Sequence, residues 1–594
     1  MPANKKTSAS LHYCIEAADV HAHLYGITLT IAHPVAQQRV SLPVWIVGSY
    51  MVREFSKQLT GIKAIQGKRH LAVSQLDKNT WQIDCDTSQP LSLHYQVHAN
   101  DNSVRTAWLD SQRGFFNATS LCLQVDGLHD ATHVLDIQPP KHTQDWHVAT
   151  GLTPIKVDRK GFGVYAAPSY AVLADTPVEM GHFWSGHFKA MGIEHQFVVV
   201  GAPPTFDGAR LLQDAQAICE TICSFWHGNK RSQIPFKRYV FMLNAVGDGY
   251  GGLEHHNSTA LICQRSDLPR VSNDIATKPS DGYITLLGLI SHEYFHTWNV
   301  KRLRPAEFAH YDYAKENYTE LLWFFEGFTS YFDDKLLRRA GLIDDTQYLR
   351  LLNKTINQVL QTPGRKVHTV AQSSFEAWTK YYLQDANSPN LTVSYYTKGA
   401  LVALCLDLSL RQHGVRNHSV TLDDVMRGLW KRCHAGPMQE ADVLEVLKEL
   451  TGRSWRSEIN AWVHSTRELP LEKLLTAHGV TLHHDPAQLA QALGLRVVED
   501  RGVLIKQVLH DSPAHTAGFA PTDEWLGVEV GNAMWRLQKL DDVLLYAGWG
   551  KKITALVSRD RQILRLPLTL PKANAHTTWR MAIGDAKKVK AWLS

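Results

Sequence analysis

Along the first 174 residues apolar and polar positions alternate in short runs, as in Gly26-Ile27-Thr28-Leu29-Thr30-Ile31 and Leu91-Ser92-Leu93-His94-Tyr95-Gln96-Val97. A period of two with frequent turn residues predicts strands that bury one face, so about Leu11 to Ala174 reads as an antiparallel β domain. The period then lengthens. Helical spacing over about Arg210 to Trp226 precedes predicted strands at Tyr239 to Val246 and Ser258 to Gln264, separated by a Gly-rich loop, and mixed α/β structure begins there. From about Tyr283 to Trp462 helical patterns dominate, including Glu320 to Arg339, which Gly341 can terminate, and Ala400 to Arg411. A boundary is expected near Leu469-Pro470, after which short strands and turns return as a separate C-terminal module. There is no repeat and no low-complexity tract.

Length and composition change this picture little. A chain of 594 residues exceeds one core, and roughly three or four domains are expected. With 62 basic and 57 acidic side chains the net charge of +5 makes no electrostatic case for nucleic acid. The 31 histidines make any lone His a weak clue. The eight cysteines (Cys14, Cys85, Cys122, Cys219, Cys223, Cys263, Cys405, Cys433) include no CxxC pair and are expected as reduced, buried thiols rather than a zinc site. Met1 to Ser10 is polar and charge follows at once, so no signal peptide is expected. The longest apolar runs, such as Tyr283 to Ile290, fall short of the ~20 residues needed to span a bilayer. The expectation is a soluble cytoplasmic protein with no membrane partner.

The chemistry concentrates in His292-Glu293-Tyr294-Phe295-His296. Two histidines four apart on a helix lie about 40° apart on one face, one turn above the other, and can share one metal ion. Glu293, beside that metal, can take a proton from the attacking water and deliver it to a leaving amine. Ile284, Leu287 and Ile290 give the helix an apolar side. Two surface histidines would show the same spacing, so the reading needs a third protein ligand and an open fourth position. Glu326 is the candidate. It stands in Trp323-Phe324-Phe325-Glu326-Gly327-Phe328, where a buried carboxylate is costly unless a cation meets it. Glu307, Glu316 and Glu320 lie in more polar stretches and are expected to face solvent.

These residues resemble those of the gluzincin peptidases, in which a HExxH helix is followed by a second helix bearing a glutamate ligand. The 29 residues between His296 and Glu326 exceed the spacing of the common zinc aminopeptidases. The insert Asn299-Val300-Lys301-Arg302-Leu303-Arg304-Pro305 is instead similar to the glycyl aminopeptidase family, gluzincins that carry a PDZ domain. Pro43-Val44-Trp45-Ile46-Val47-Gly48-Ser49-Tyr50-Met51-Val52-Arg53-Glu54-Phe55 resembles that family's N-terminal β domain, and Gly251-Gly252-Leu253-Glu254-His255-His256-Asn257-Ser258 resembles its exopeptidase loop. The resemblance implies a multidomain α+β protein. It implies that residues 1–177 are the N-terminal antiparallel β domain, that residues 178–470 are a thermolysin-like zinc peptidase domain with an α/β lobe at about 178–300 and a helical lobe at about 301–470, and that residues 471–594 are a PDZ-like domain.

The remaining site residues follow from these motifs. Glycines 247, 249, 251 and 252 let the backbone approach a ligand, and the strand that follows can pair with an extended peptide. Glu254 would then meet the substrate's free α-amine. Tyr396, in Tyr395-Tyr396-Thr397-Lys398-Gly399, matches the aminopeptidase pattern of Tyr followed two residues later by Lys-Gly, and its phenol could donate to the oxyanion; Tyr395 is the adjacent alternative. Lys301, Arg302 and Arg304 read as a solvated basic face and are left outside the site. In the C-terminal module, Leu493-Gly494-Leu495, a strand at Val503 to Val508, and Asp511-Ser512-Pro513-Ala514-His515-Thr516-Ala517-Gly518 resemble a PDZ domain, with the loop at Gly494 placed for a terminal carboxylate; past Trp525 the match fades. The resemblance thus implies an aminopeptidase with one zinc ion per chain, peptide substrates, a preference for small first residues such as Gly and Ala, and a possible peptide or protein ligand of the PDZ-like module. An endopeptidase on the same site and an inactive scaffold presenting that module are the alternatives.

Overall fold

The computed structural model describes residues 11–141, 145–271, 278–413 and 419–594. The segment Met1–Ser10, expected to be no signal peptide, lies outside the described residues. The chain divides into two compact units, residues 1–317 with 435–437, and residues 318–434 with 438–594. No helix among the described residues is long and apolar enough to cross a membrane.

In the first unit the strands expected from alternation form. Leu24–Ile31 pairs with Leu91–His98 in an eight-stranded sheet, burying Tyr25, Ile27, Leu29 and Ile31 on one face. The sheet is antiparallel except at one place, a correction to the wholly antiparallel expectation: Leu11–Asp19 runs parallel to His133–Ile137. The chain leaves at Asp19 and returns at His133 in the same direction, and only such a long excursion permits a parallel pair. The core of this β domain also takes in Leu253 and Ala260, which belong to the segment after the Gly-rich loop.

A five-stranded sheet follows in the order Trp184–Ala190, Ile193–Val200, Arg238–Val246, Ser258–Gln264 and Gly251–Glu254. Two expectations are corrected here. Part of the Gly-rich loop is itself a strand, Gly251–Glu254, at the sheet edge. The following strand Ser258–Gln264 has no free edge for a peptide, because Arg238–Val246 occupies one side and Gly251–Glu254 the other. On that side of the sheet the edge strand is Gly251–Glu254.

In the second unit the helix Leu322–Arg339 crosses the helix Tyr395–Leu410 at two glycines. A Cβ on Gly327 would stand 2.5 Å from the Gly399 Cα, and one on Gly399 would stand 2.5 Å from the Trp323 carbonyl oxygen, so the two backbones touch. Gly341, at φ 77°, follows the end of the first helix as expected. Farther along that helix Lys335 pairs with Asp407 at 2.6 Å, both fully buried. The C-terminal residues form a six-stranded sheet around its own core of Leu493, Val503, Ile505, Trp525, Val528 and Val557. Its short helix Pro513–Ala517 is capped by Ser512 and closed by Gly518 at φ 86°.

Candidate metal centre

The helix Asp281–Phe295 begins where the Ser280 side chain accepts a hydrogen bond from the Tyr283 N–H. Ile284, Leu287 and Ile290 are buried as expected, and so are Leu286 and Leu289 on other sides. The middle of the HEYFH motif anchors it. The Tyr294 ring packs edge-on to Tyr239 at 4.8 Å and its hydroxyl lies 2.9 Å from His195 Nε2. Burial pushes the His195 imidazole down to about 4 and the Tyr294 phenol well up, so both stay neutral.

His296 occupies the C-cap position with φ −59° and ψ −20°, still close to helical geometry, so it continues the face of His292. Its Nδ1 lies 2.7 Å from the Asn299 carbonyl oxygen. A carbonyl only accepts, which places the proton on Nδ1 and leaves Nε2 a lone pair, the state a metal requires. That Nε2 faces the His292 Nε2 at 3.0 Å. Glu326 is 2% exposed, on a helix whose neighbouring Trp323, Phe324, Phe325 and Phe328 are all buried. His292 and His296 stand on a helix of the first unit and Glu326 on a helix of the second. Two imidazoles and a carboxylate are a zinc donor set, and a cation removes the penalty on a carboxylate buried among aromatic rings. The residues fit a metal. Glu307 and Glu320 are exposed and Glu316 is half-buried.

Glu293 is buried beside the edge strand. An ideal Cβ on Gly252 would fall 2.2 Å from its Oε1, which is why glycine stands there. Glu254, at the end of the same strand, is 4% exposed, and its Oε1 is buried without a hydrogen-bond partner among the described residues. Gly48, at φ 89°, lies against this carboxylate so closely that a Cβ would meet both oxygens at 2.6 Å. Gly251 lies beside Arg105, whose Nη2 donates to the Gly252 carbonyl at 3.1 Å. Neither the Gly48 contact nor Arg105 was read from the sequence as part of the site, although Gly48 belongs to the N-terminal motif.

Tyr395 and Tyr396 open the helix Tyr395–Leu410, capped by Ser394. Their rings stack at 4.7 Å, yet Tyr395 is fully buried while Tyr396 keeps partial exposure. Burial, then the neighbouring Glu326 carboxylate, raises the Tyr396 phenol well above its usual value, so it is a proton-bearing donor. The touching backbones at Gly327 and Gly399 hold these residues in register.

The basic run is not a solvated face, and that reading is corrected. Lys301 is 4% exposed and its Nζ pairs with Asp175 at 2.5 Å. Arg302 donates to the carbonyls of Thr297, His256 and Pro235. Asp175 also receives the His256 N–H at 2.9 Å and faces His255 Nδ1 at 3.2 Å, so one buried carboxylate ties Lys301 to the residues just after Glu254. Asp175 lies in no motif, and nothing in the sequence marks it.

Comparison with known proteins converges on these segments. Residues 12–182 match the M61 peptidase N-terminal domain, and residues 285–402 match M61 glycyl aminopeptidase. A crystal structure of an aminopeptidase N family protein from Idiomarina loihiensis is 36% identical, covers 98% of this chain and 100% of its own, and superposes with a TM-score of 0.92. An M1 zinc metallopeptidase from Deinococcus radiodurans is more distant, 14% identical over 77% of this chain and 93% of its own, with a TM-score of 0.46. No match is found among curated proteins. With both domain models in order along the chain and a homologue alignable over nearly all of it, the chain belongs to the M61 glycyl aminopeptidase family and is a metallo-aminopeptidase.

Proposed function

We propose that the enzyme hydrolyses the first peptide bond of peptides with a free N-terminal amine, using one zinc ion per chain held by His292, His296 and Glu326. When bound there, zinc supplies the Lewis acidity that acidifies water and polarises a carbonyl. Glu293 takes the proton of the attacking water and passes it to the leaving amine. Glu254 accepts hydrogen bonds from the substrate's α-ammonium, with Gly251 and Gly252 presenting backbone to the peptide. Tyr396 donates its phenolic proton to the oxyanion of the tetrahedral intermediate.

The observation that carries this reading is the Glu254 carboxylate. A buried acceptor without a hydrogen-bond partner destabilises a protein by about 1–3 kcal/mol, and a substrate ammonium removes that penalty. The zinc-loaded enzyme should therefore turn over a free peptide at least about 100-fold faster than its N-acetylated form, in line with losing a charged hydrogen bond in a buried site. Equal turnover would exclude the Glu254 role and leave an endopeptidase on the same site. Activity that survives both a chelator and Glu293→Gln would exclude the metal-dependent mechanism altogether.

A preference for glycine or alanine at the first residue follows the family's description and is tested by comparing Gly, Ala, Leu and Phe p-nitroanilides. The division into residues 1–177, 178–470 and 471–594 belongs to the same proposal. The PDZ-like assignment of the last segment is supported by Gly494 at φ 71° leading into Leu495–Glu499, an edge strand that can accept an added peptide strand. A cytoplasmic location is supported by eight cysteines that are all free thiols.

A further inference from the structure

The outer edge of Gly251–Glu254 meets a guanidinium that the hydrolytic step does not use. The His255 N–H donates to the Ser258 carbonyl at 3.0 Å. Alternation along the antiparallel ladder then turns the N–H and C=O of Glu254 and Gly252 away from Ser258–Gln264, toward the outer edge. Arg105 reaches this edge and donates from Nη2 to the Gly252 carbonyl at 3.1 Å. A Cβ on Gly251 would stand 3.8 Å and 3.9 Å from its two terminal nitrogens. Its own segment is pinned: the Arg105 N–H donates to Ser103 Oγ at 3.2 Å, and the Thr106 hydroxyl donates to the Asp101 carbonyl at 3.0 Å. Among the described residues no carboxylate stands within the 4.0 Å of an ion pair with this guanidinium, and its Nε is buried without a hydrogen-bond partner. A permanent, half-buried cation with spare donors therefore stands on the edge where a peptide would add.

We propose that Arg105 binds the α-carboxylate of short substrates, which makes di- and tripeptides with a free C-terminus the preferred class. The inference rests on the aminopeptidase reading, with Glu254 on the amine. A peptide that begins at Glu254 and passes Glu293 runs toward Gly252, two residues away along the strand. At ~3.4 Å per residue that is about 7 Å, close to the separation of amine and carboxylate in an extended dipeptide, and a tripeptide adds one further step. Longer peptides place a neutral amide at the guanidinium and find the Gly252 carbonyl already taken.

The test uses the full-length, zinc-loaded enzyme and compares kcat/KM for Ala-Ala and Ala-Ala-Ala with their C-terminal amides. The free acids should be preferred by about tenfold or more, as a charge-assisted bidentate contact predicts. Arg105→Gln should bring that ratio close to one, and Arg105→Lys, which keeps the charge without the fork, should retain part of it. A ratio near one in the parent enzyme, or an unchanged ratio in Arg105→Gln, would overturn the inference. Should Arg105→Gln not fold, the parent ratio and Arg105→Lys decide. Equal turnover of acids and amides, with N-acetyl peptides refused, removes this role and leaves the aminopeptidase reading standing; no turnover of any free-amine peptide removes both.

Discussion

Replacing Gly252 by alanine separates catalysis from folding. Gly252 has an ordinary φ, so alanine fits its backbone, and displacing the buried Glu293 side chain should lower stability by no more than about 1–3 kcal/mol, leaving the protein folded. Its methyl would stand 2.2 Å from Glu293 Oε1, 2.4 Å from Cδ and 2.6 Å from Cγ. Turning the carboxylate about its last bond cannot relieve three such contacts, so the whole side chain has to swing by about 1 Å or more to reach ordinary contact distance. A misplacement of that size lowers a rate about 100-fold, equivalent to about 2.7 kcal/mol in the barrier. The assay is kcat/KM on an alanine p-nitroanilide, with metal content by mass spectrometry and a thermal midpoint measured on the same sample. Gly247→Ala is the control, because nothing lies within 4 Å of a Cβ there, and its activity should stay within about twofold of the parent. Gly252→Ala within about threefold of the parent, or activity lost only together with the fold, would refute the placement of Glu293 against this strand.

Tyr396→Phe should lower kcat by about 100-fold or more with little change in KM, while Tyr395→Phe, buried beside it, should retain most activity; steady-state kinetics on both variants assigns the oxyanion donor. Gly399→Ala should destabilise the protein by about 1–3 kcal/mol or more, because its methyl meets the Trp323 carbonyl, which cannot move aside; denaturant or thermal unfolding measures this. Asp175→Asn should lower stability at pH 7 by about 3–5 kcal/mol, since it leaves Lys301 buried without its counter-ion. Burial alone would raise the Asp175 carboxyl, but Lys301, His256 and His255 outweigh it and hold it well below the usual carboxylate range. That contribution is complete above the unfolded pKa of about 3.9 and fades as pH falls toward the folded value. The gap in unfolding midpoint between parent and variant should therefore narrow below about pH 4, and a gap independent of pH would show that the ion pair is not its source.

Sequence reasoning succeeded where the determining interactions are local. The strand Ser258–Gln264 and the helices near Glu320 to Arg339 and Arg210 to Trp226 follow from residues close in the chain. So does the His292 and His296 spacing. The burial of Glu326 was legible for a different reason: a lone acid inside an aromatic run carries a desolvation penalty visible without coordinates. The basic run at Lys301, Arg302 and Arg304 misled, because charge in a sequence normally means solvent, and its counter-ion Asp175 lies more than 100 residues earlier. The Gly-rich segment misled in a similar way. Glycines suggest a loop, but pairing with Ser258–Gln264 makes Gly251–Glu254 a strand.

By itself, then, the sequence determined the helix that carries His292, Glu293 and His296 and the buried acid most in need of a cation, since each is a property of periodicity or of immediate neighbours. Only the tertiary structure decided which strand lies at the sheet edge, why Gly252 and Gly48 must lack side chains, that Asp175 neutralises Lys301, and that Arg105 faces the edge strand. Those are contacts between segments distant in the chain. Their distances are set by how sheets and helices pack, and no local pattern encodes which backbone will approach which side chain to within a van der Waals radius.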